Sequence, residues 1–180
     1  MTENAPDSDE VCIEALAGAD VEYMARLARE IWYDHYPAII TTAQIDYMLQ
    51  QRYAPEVVRA ELERGDIWWD KLVVRREFCG FSSFLLTGEA GVMKLDKLYV
   101  RTSRQRRGYG ALLIARAADE ARRQGCNRLV LAVNKRNADA IAAYLKHGFR
   151  IAESVVKDIG DGFVMDDYKM EKALVCTSPR

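Results

Sequence analysis

After an acidic lead-in the chain alternates through "VCIEAL" (11–16), and that period of two predicts a short first strand. The period then lengthens. Met24, Leu27, Ala28 and Ile31 recur at helical spacing behind Asp20, a residue suited to capping, so a helix is expected to about Trp32, with Pro37 ending the pattern. Thr42 opens a second helical run, "AQIDYMLQQRY", and "PEVVRAELER" gives a third with Pro55 in its first turn. From residue 66 the period returns to two. "DIWWDKLVVRR", "FCGFSSFLLT" and "VMKLDKLYV" predict three consecutive strands joined by short turns such as "TGEAG". Residues 108–124, rich in Ala and Leu, read as a helix closed by Gly125. "RLVLAVN" (128–134) is apolar on both faces, as a strand inside a sheet would be. Residues 137–147 are helical up to Gly148, and "FRIAESVVKDI" and "FVMDDYKMEKAL" flank "GDG" as a closing hairpin. This order predicts an α/β fold with a mixed central sheet of about seven strands flanked by helices on both faces.

No repeat or composition break interrupts the pattern. Residues 11–172 are expected to form a single domain, between a disordered acidic tail (1–10) and a C-terminal tail (173–180). Lys and Arg total 26 against 27 Asp and Glu, a net charge of -1, which argues against a dedicated nucleic-acid binder. No apolar run approaches the roughly 18 residues of a membrane span. The first ten residues carry four acids and no hydrophobic run, unlike a secretory signal. Cys12, Cys79, Cys126 and Cys176 are far apart and form no Cys-x-x-Cys pair, and the two histidines, His35 and His147, belong to no ligand cluster. Neither a metal centre nor a disulfide framework is expected, and reduced thiols suit a cytoplasmic protein.

The chemistry starts at "SRQRRGYG" (103–110), between a predicted strand and a predicted helix. A glycine-rich turn at a helix start offers free backbone N–H groups and a positive dipole end to an anion, and Gly108 and Gly110 let a phosphate approach the backbone. Arg101, Arg104, Arg106 and Arg107 add positive potential. The Gly-Lys-Ser/Thr of a P-loop is absent, and Leu113 stands where a dinucleotide fingerprint needs its third glycine. A tight turn with no ligand is the alternative. A second motif follows. In "NADAIAAYLKHGF", Asn137, Ala140 and Tyr144 share one helical stripe, with Ile141 and Leu145 beside them to pack on the sheet.

Together, Gln105-x-x-Gly108-x-Gly110 and Asn137-x-x-Ala140-x-x-x-Tyr144-x-x-x-Gly148-Phe149 resemble the GNAT superfamily of acetyl-CoA-dependent N-acetyltransferases, over residues 11–172 and in matching element order. The resemblance implies acetyl-CoA (coenzyme A) as cofactor. Pantetheine would lie along Leu98, Tyr99 and Val100, and the loop Gln105, Arg106, Arg107, Gly108, Tyr109, Gly110 and Ala111 would hold the pyrophosphate. Asn137 and Ala140 would line the cofactor, and the Tyr144 hydroxyl would face the sulfur as general acid. A backbone N–H near Leu98 would meet the developing oxyanion. Strand alternation puts Lys94, Asp96, Leu98 and Val100 on one face, which makes Asp96 the favoured base, directly or through water. An ion pair of Asp96 with Lys97 or Lys94 is the competing reading, and Asp166 and Asp167 are the runner-up acids.

Where the superfamily's enzymes for a ribosomal-protein N-terminus carry a catalytic Glu, this chain has Ala132, which weakens that reading. For the acceptor, Trp32, Tyr33, Asp34, Tyr36, Asp46 and Tyr47 offer aromatic walls and carboxylates suited to a cationic amine, similar to bacterial polyamine-type acetyltransferases. His35 is a further candidate base in this segment. The expected partner is therefore a small amine, with no nucleic acid and no membrane, and a homodimer is compatible with the resemblance. A peptide N-acetyltransferase and a non-catalytic acyl-CoA-binding regulatory module remain the alternatives.

Overall fold

In the computed structural model, which describes residues 10–174, the alternating and helical periods become seven strands and five α-helices. The expected tails lie outside the described residues apart from Glu10, Ala173 and Leu174, and so does Cys176. Strand β1 (Val11–Ala15) is followed by α1 (Val21–His35), α2 (Thr42–Tyr53) and α3 (Pro55–Leu62). Next come β2 (Ile67–Val74), β3 (Glu77–Leu86) and β4 (Val92–Val100), then α4 (Tyr109–Arg123), β5 (Arg128–Asn134) and α5 (Ala138–Lys146). The hairpin of β6 (Arg150–Gly160) and β7 (Phe163–Ala173) closes the chain. One mixed sheet results, in the order β1-β2-β3-β4-β5-β7-β6.

Two apolar layers fix the helices to the sheet. Met24, Leu27 and Ile31 of α1 pack with Ile45 and Met48 of α2 and Val58 of α3 over Trp69 and Phe81. On the opposite face Ile114, Ala117 and Ala121 of α4 lie against Phe84, Met93, Leu95, Leu129 and Met170. Each fully buried Leu, Ile, Met or Phe contributes about 1.5–3 kcal/mol, so these layers dominate the fold's stabilisation. The caps follow the sequence in part. Thr41 Oγ1 accepts from the Gln44 N–H at 3.2 Å, whereas Asp20 accepts from Ala17 and does not cap α1. Leu145, expected on the sheet, is half exposed on the outer side of α5.

Two features of β4 place the site. Its pairing with β5, the one parallel pairing in the sheet, covers only Val92–Lys94 against Arg128–Val130. Beyond that point β5 continues beside β7 as far as Asn134 opposite Asp167, so β4 and β5 splay into a V. The second feature is a bulge. Ser83 faces Lys97 and Phe84 faces Leu95, which leaves Asp96 as an extra residue in β4. A bulge reverses side-chain parity. Met93 and Leu95 therefore share the α4 side with Leu98, while Lys97 and Tyr99 turn to the helical layer of α1 to α3. The expectation of one face for Lys94, Asp96, Leu98 and Val100 is thus corrected. Asp96 is paired with Lys94 and with Arg52 of α2, away from Leu98 and Val100.

Candidate active site

The V between β4 and β5 opens into a cleft of about 700 Å³, within the range of small-molecule sites. Along its cofactor-side wall Leu98 and Val100 face α4, and Gln105 Nε2 donates to the Val100 carbonyl at 3.0 Å, pinning the loop to the end of β4. Gly108 precedes α4 with φ +85°, a backbone conformation that favours glycine. The amides of Ala111 and Leu112 turn back onto the Gly108 carbonyl at 3.0 and 3.3 Å, while those from Arg106 to Gly110 have no backbone acceptor in the turn. The cradle is therefore 106–110, and Ala111, expected to contribute its amide, spends it on Gly108. A Cβ on Gly110 would meet only Leu98 Cδ2, at 3.9 Å, so the fold itself does not require glycine here and the space above it is open.

The arginines divide. Arg101 is bound to Glu30 (2.8 Å) and Glu77, and Arg104 to Glu77 (2.6 Å). Arg106 and Arg107 are exposed and make no ion pair among the described residues. Tyr109 packs its ring in the core beside Leu72 and Val74, so only its backbone belongs to the cradle. Asn137 is buried at the start of α5. Its Oδ1 caps the Ala140 N–H at 3.4 Å, leaving the side-chain N–H2 to face the cleft. Ala140 and Tyr144 line the cleft further along the same stripe. Burial pushes the Tyr144 phenol up to about 12, which keeps it protonated as a hydrogen-bond donor. Its ring is fixed edge-on to Phe149, 5.6 Å between centroids.

These residues fit a nucleotide-bearing thioester. Unused amides lie at a left-handed glycine, two free arginines stand beside them, a strand edge is open, and a protonated phenol sits further in. Ala132 lines the cleft without a carboxylate.

On the other side lies an aromatic chamber. Trp32, Tyr36 and Tyr99 form its aromatic wall, with Trp32 and Tyr36 4.4 Å apart between ring centroids and the Tyr36 and Tyr99 hydroxyls 3.2 Å apart. The buried Trp32 indole N–H has no partner. His35 also lines the cleft, edge-on to Tyr36. Arg136 donates to the Ile39 and Ala38 carbonyls at 2.7 and 3.0 Å, tying the segment after α1 to the start of α5. Two sequence candidates lie elsewhere. Asp34 meets Thr102 at 3.3 Å outside the cleft, and Tyr47 donates to the Ile159 carbonyl at 2.6 Å, holding α2 to the hairpin. Asp46 is likewise occupied, by Tyr33 and Arg29.

Asp96, the favoured base from the sequence, lines the cleft but is committed to cations. Its carboxylate binds Lys94 at 2.6 Å on one oxygen, and Arg52 at 2.6 Å and Lys97 at 2.8 Å on the other. Burial alone would raise its carboxyl, but Lys97, Arg52 and Lys94 outweigh burial and hold it far below the usual carboxylate range. So held, it is a poor proton acceptor. Lys97 is buried over the Trp69 ring and also reaches Glu61 at 3.3 Å, so the group is an internal ion cluster. Sequence reasoning missed Arg52, 44 positions away, entirely. No group of metal-ligating side chains occurs among the described residues, and no helix there is long and apolar enough to cross a membrane.

A sheet splayed at an amide-lined, glycine-started helix is the geometry of an acyl-CoA-dependent transferase. The acetyltransferase (GNAT) family matches residues 23–149, and the chain belongs to that family, whose members use acetyl-CoA as the acetyl donor for N-acetylation. A spermidine N(1)-acetyltransferase of Thermoplasma acidophilum is 23% identical over 158 residues, covering 86% of this chain and 94% of that protein. The same fold is seen in PaiA N-acetyltransferase of Thermoplasma acidophilum, solved with coenzyme A (TM-score 0.78, 24% identity, 91% of this chain and 99% of that one). A chimera of spermidine N-acetyltransferase SpeG from Vibrio cholerae and hSSAT also shares it (TM-score 0.67, 16% identity, 91% of this chain and 95% of that one).

Proposed function

We propose that the protein acetylates the primary amine of a small cationic acceptor of polyamine type, by direct transfer within the β4/β5 cleft. The observation that carries this reading is the position of Tyr144. It stands between an amide-lined cradle on one side and, on the other, an aromatic chamber in which one carboxylate, Asp167, is left without a partner. Bound acetyl-CoA supplies an activated acetyl group. Tyr144 then donates a hydrogen bond to the departing sulfur, the free edge of β4 near Leu98 offers an N–H to the developing oxyanion, and Asn137 and the 106–110 amides fix the cofactor's position. A regulatory module that only binds acyl-CoA would need no phenol at that point.

Support for a cationic acceptor comes from the chamber and from the spermidine-acetylating relative. Trp32, Tyr36 and Tyr99 line the chamber, and aromatic rings attract ammonium groups. Arg52 and Lys94 do not stand against it, because both are bound to Asp96. The free thiols of Cys12, Cys79 and Cys126 suit a reducing cytoplasm.

The test is an acceptor panel containing spermidine, peptides with free N-termini and neutral amino sugars, each scored for acetylated product. Spermidine-like amines should give the highest kcat/KM. A clear preference for peptide N-termini would overturn the acceptor class, and preference for amino sugars would remove the requirement for a second positive charge.

A further inference from the structure

Among the acids of the described residues that line the cleft, Asp96 is bound to cations and Asp139 is exposed on α5, while Asp167 is half-buried and left uncommitted. It sits on β7 opposite Asn134 of β5 and Val155 of β6, both uncharged. Its side chain is half-buried, lines the cleft, and makes no hydrogen bond or ion pair among the described residues, and its Oδ1 is cut off from solvent without a partner. Leaving a buried polar atom unpaired is costly, so such a group calls for an explanation. The cations nearest to it are all engaged. Arg52 and Lys94 hold Asp96, and Lys135 holds Asp166.

Resting on the proposed amine acetylation, we infer that Asp167, and not Asp96, is the general base that takes a proton from the acceptor's ammonium before nitrogen attacks. Position supports the assignment. The charge environment of Tyr36 is set by burial and Tyr99, and after them by Tyr144 and Asp167, so donor and acceptor of protons meet around one tyrosine in the cleft. The proton balance closes. The ammonium gives one proton to Asp167, which passes it to solvent after turnover. The C–N bond forms, the C–S bond breaks, and the second proton lost by nitrogen balances the one Tyr144 gives to sulfur. The products are an amide and a free thiol.

The surroundings also tune the carboxyl. Desolvation, and then the charge of Asp166, raise it above its ordinary value, while Arg52 from α2, Lys94 from β4 and Lys135 from the β5–α5 junction pull the other way. On β6, Glu153 and Lys157 stand two pairs either side of Val155 and are of opposite sign. An ammonium is a weaker acid than a carboxylic acid, so each upward step for Asp167 shortens the uphill proton transfer. The base works above its own pKa. Activity should therefore fall as pH drops through a value higher than the usual aspartate figure of about 3.9.

The experiment compares Asp167→Asn, Asp167→Glu and Asp166→Asn with the parent, using spermidine and a difluorinated, less basic spermidine, with kcat/KM followed against pH. Unchanged acetyl-CoA affinity by calorimetry shows that each variant is folded. Asp167→Asn should lose about 10²-fold or more with spermidine, lose its acidic limb, and recover much of the loss with the fluorinated amine, which is already neutral. Asp167→Glu should regain the limb, and Asp166→Asn should keep it. An acidic limb that survives in Asp167→Asn, or equal losses with both amines, would overturn the assignment while leaving amine acetylation in place. A parent enzyme that acetylates neither amine would remove both readings.

Discussion

Tyr144→Phe should lower kcat by about 10²–10⁴-fold, the usual contribution of a positioned general acid, with little change in acetyl-CoA affinity or stability. The ring stays, and with it the edge contact to Phe149 and the packing on the layer around Leu131 and Val133. Only the hydroxyl goes. The loss is partial because a thiolate, near pKa 8.5 for an ordinary thiol, can depart unaided. It is substantial because the burial that pushes the phenol up to about 12 also disfavours a bare thiolate beside it. Tyr144→Ala would confuse the result by opening a cavity. A Phe variant whose kcat stays within twofold of the parent, with chemistry rate-limiting, would reduce Tyr144 to a packing residue.

Asp96→Asn should act mainly on stability. It removes the one carboxylate that Arg52, Lys94 and Lys97 share and leaves Glu61 as the remaining acid against the buried Lys97. Breaking a buried pair by deleting one partner costs about 3–5 kcal/mol, or roughly 6–20 °C in melting temperature for a chain of this size. The pH dependence has a definite sign. A carboxyl depressed in the folded state stabilises fully above its unfolded value of about 3.9, and the contribution is lost as pH falls below that towards the folded value. Parent and variant should therefore differ most at neutral pH and converge in acid, as thermal melts across pH would show. The acidic limb of activity should persist in the folded fraction of the variant. Its disappearance would return the base to Asp96.

The arrangement of elements was legible because each is a local periodic pattern. Strand alternation, the Ala- and Leu-rich run of α4, and the turn residues at Gly125, Gly148 and "GDG" mark the same boundaries in the sequence and in the structure. The cradle and the Asn137–Tyr144 stripe were legible for the same reason, since spacing along one helix decides which side chains share a face. The setting of Asp96 was not legible, and β4 shows why. In "VMKLDKLYV" the apolar positions pass from Met93 and Leu95 to Leu98 and Val100, with two successive polar residues, Asp96 and Lys97, between them. That change of parity is the mark of a bulge, and unbroken alternation put Asp96 on the wrong face. The convergence of Arg52 on Asp96, and the isolation of Asp167, depend on contacts between residues distant in sequence, for which no local spacing gives a signal. Asp34 and Tyr47 were hard to place for a similar reason. Residue type suited them to an ammonium, but Asp34 ties α1 to Thr102 beyond β4 and Tyr47 ties α2 to the β6–β7 hairpin.

The central claim is that the β4/β5 cleft, entered over the 106–110 amides, is where acetyl-CoA binds. The most direct measurement is calorimetric titration of acetyl-CoA into the parent and into Gly110→Val. That substitution meets no backbone and requires no unusual φ, so the variant should fold with an unchanged melting temperature. Its side chain would stand where the pyrophosphate must approach, and binding should be abolished or weakened by at least about 10-fold, the equivalent of 1.4 kcal/mol. Equal acetyl-CoA affinity in the two folded proteins would contradict the account.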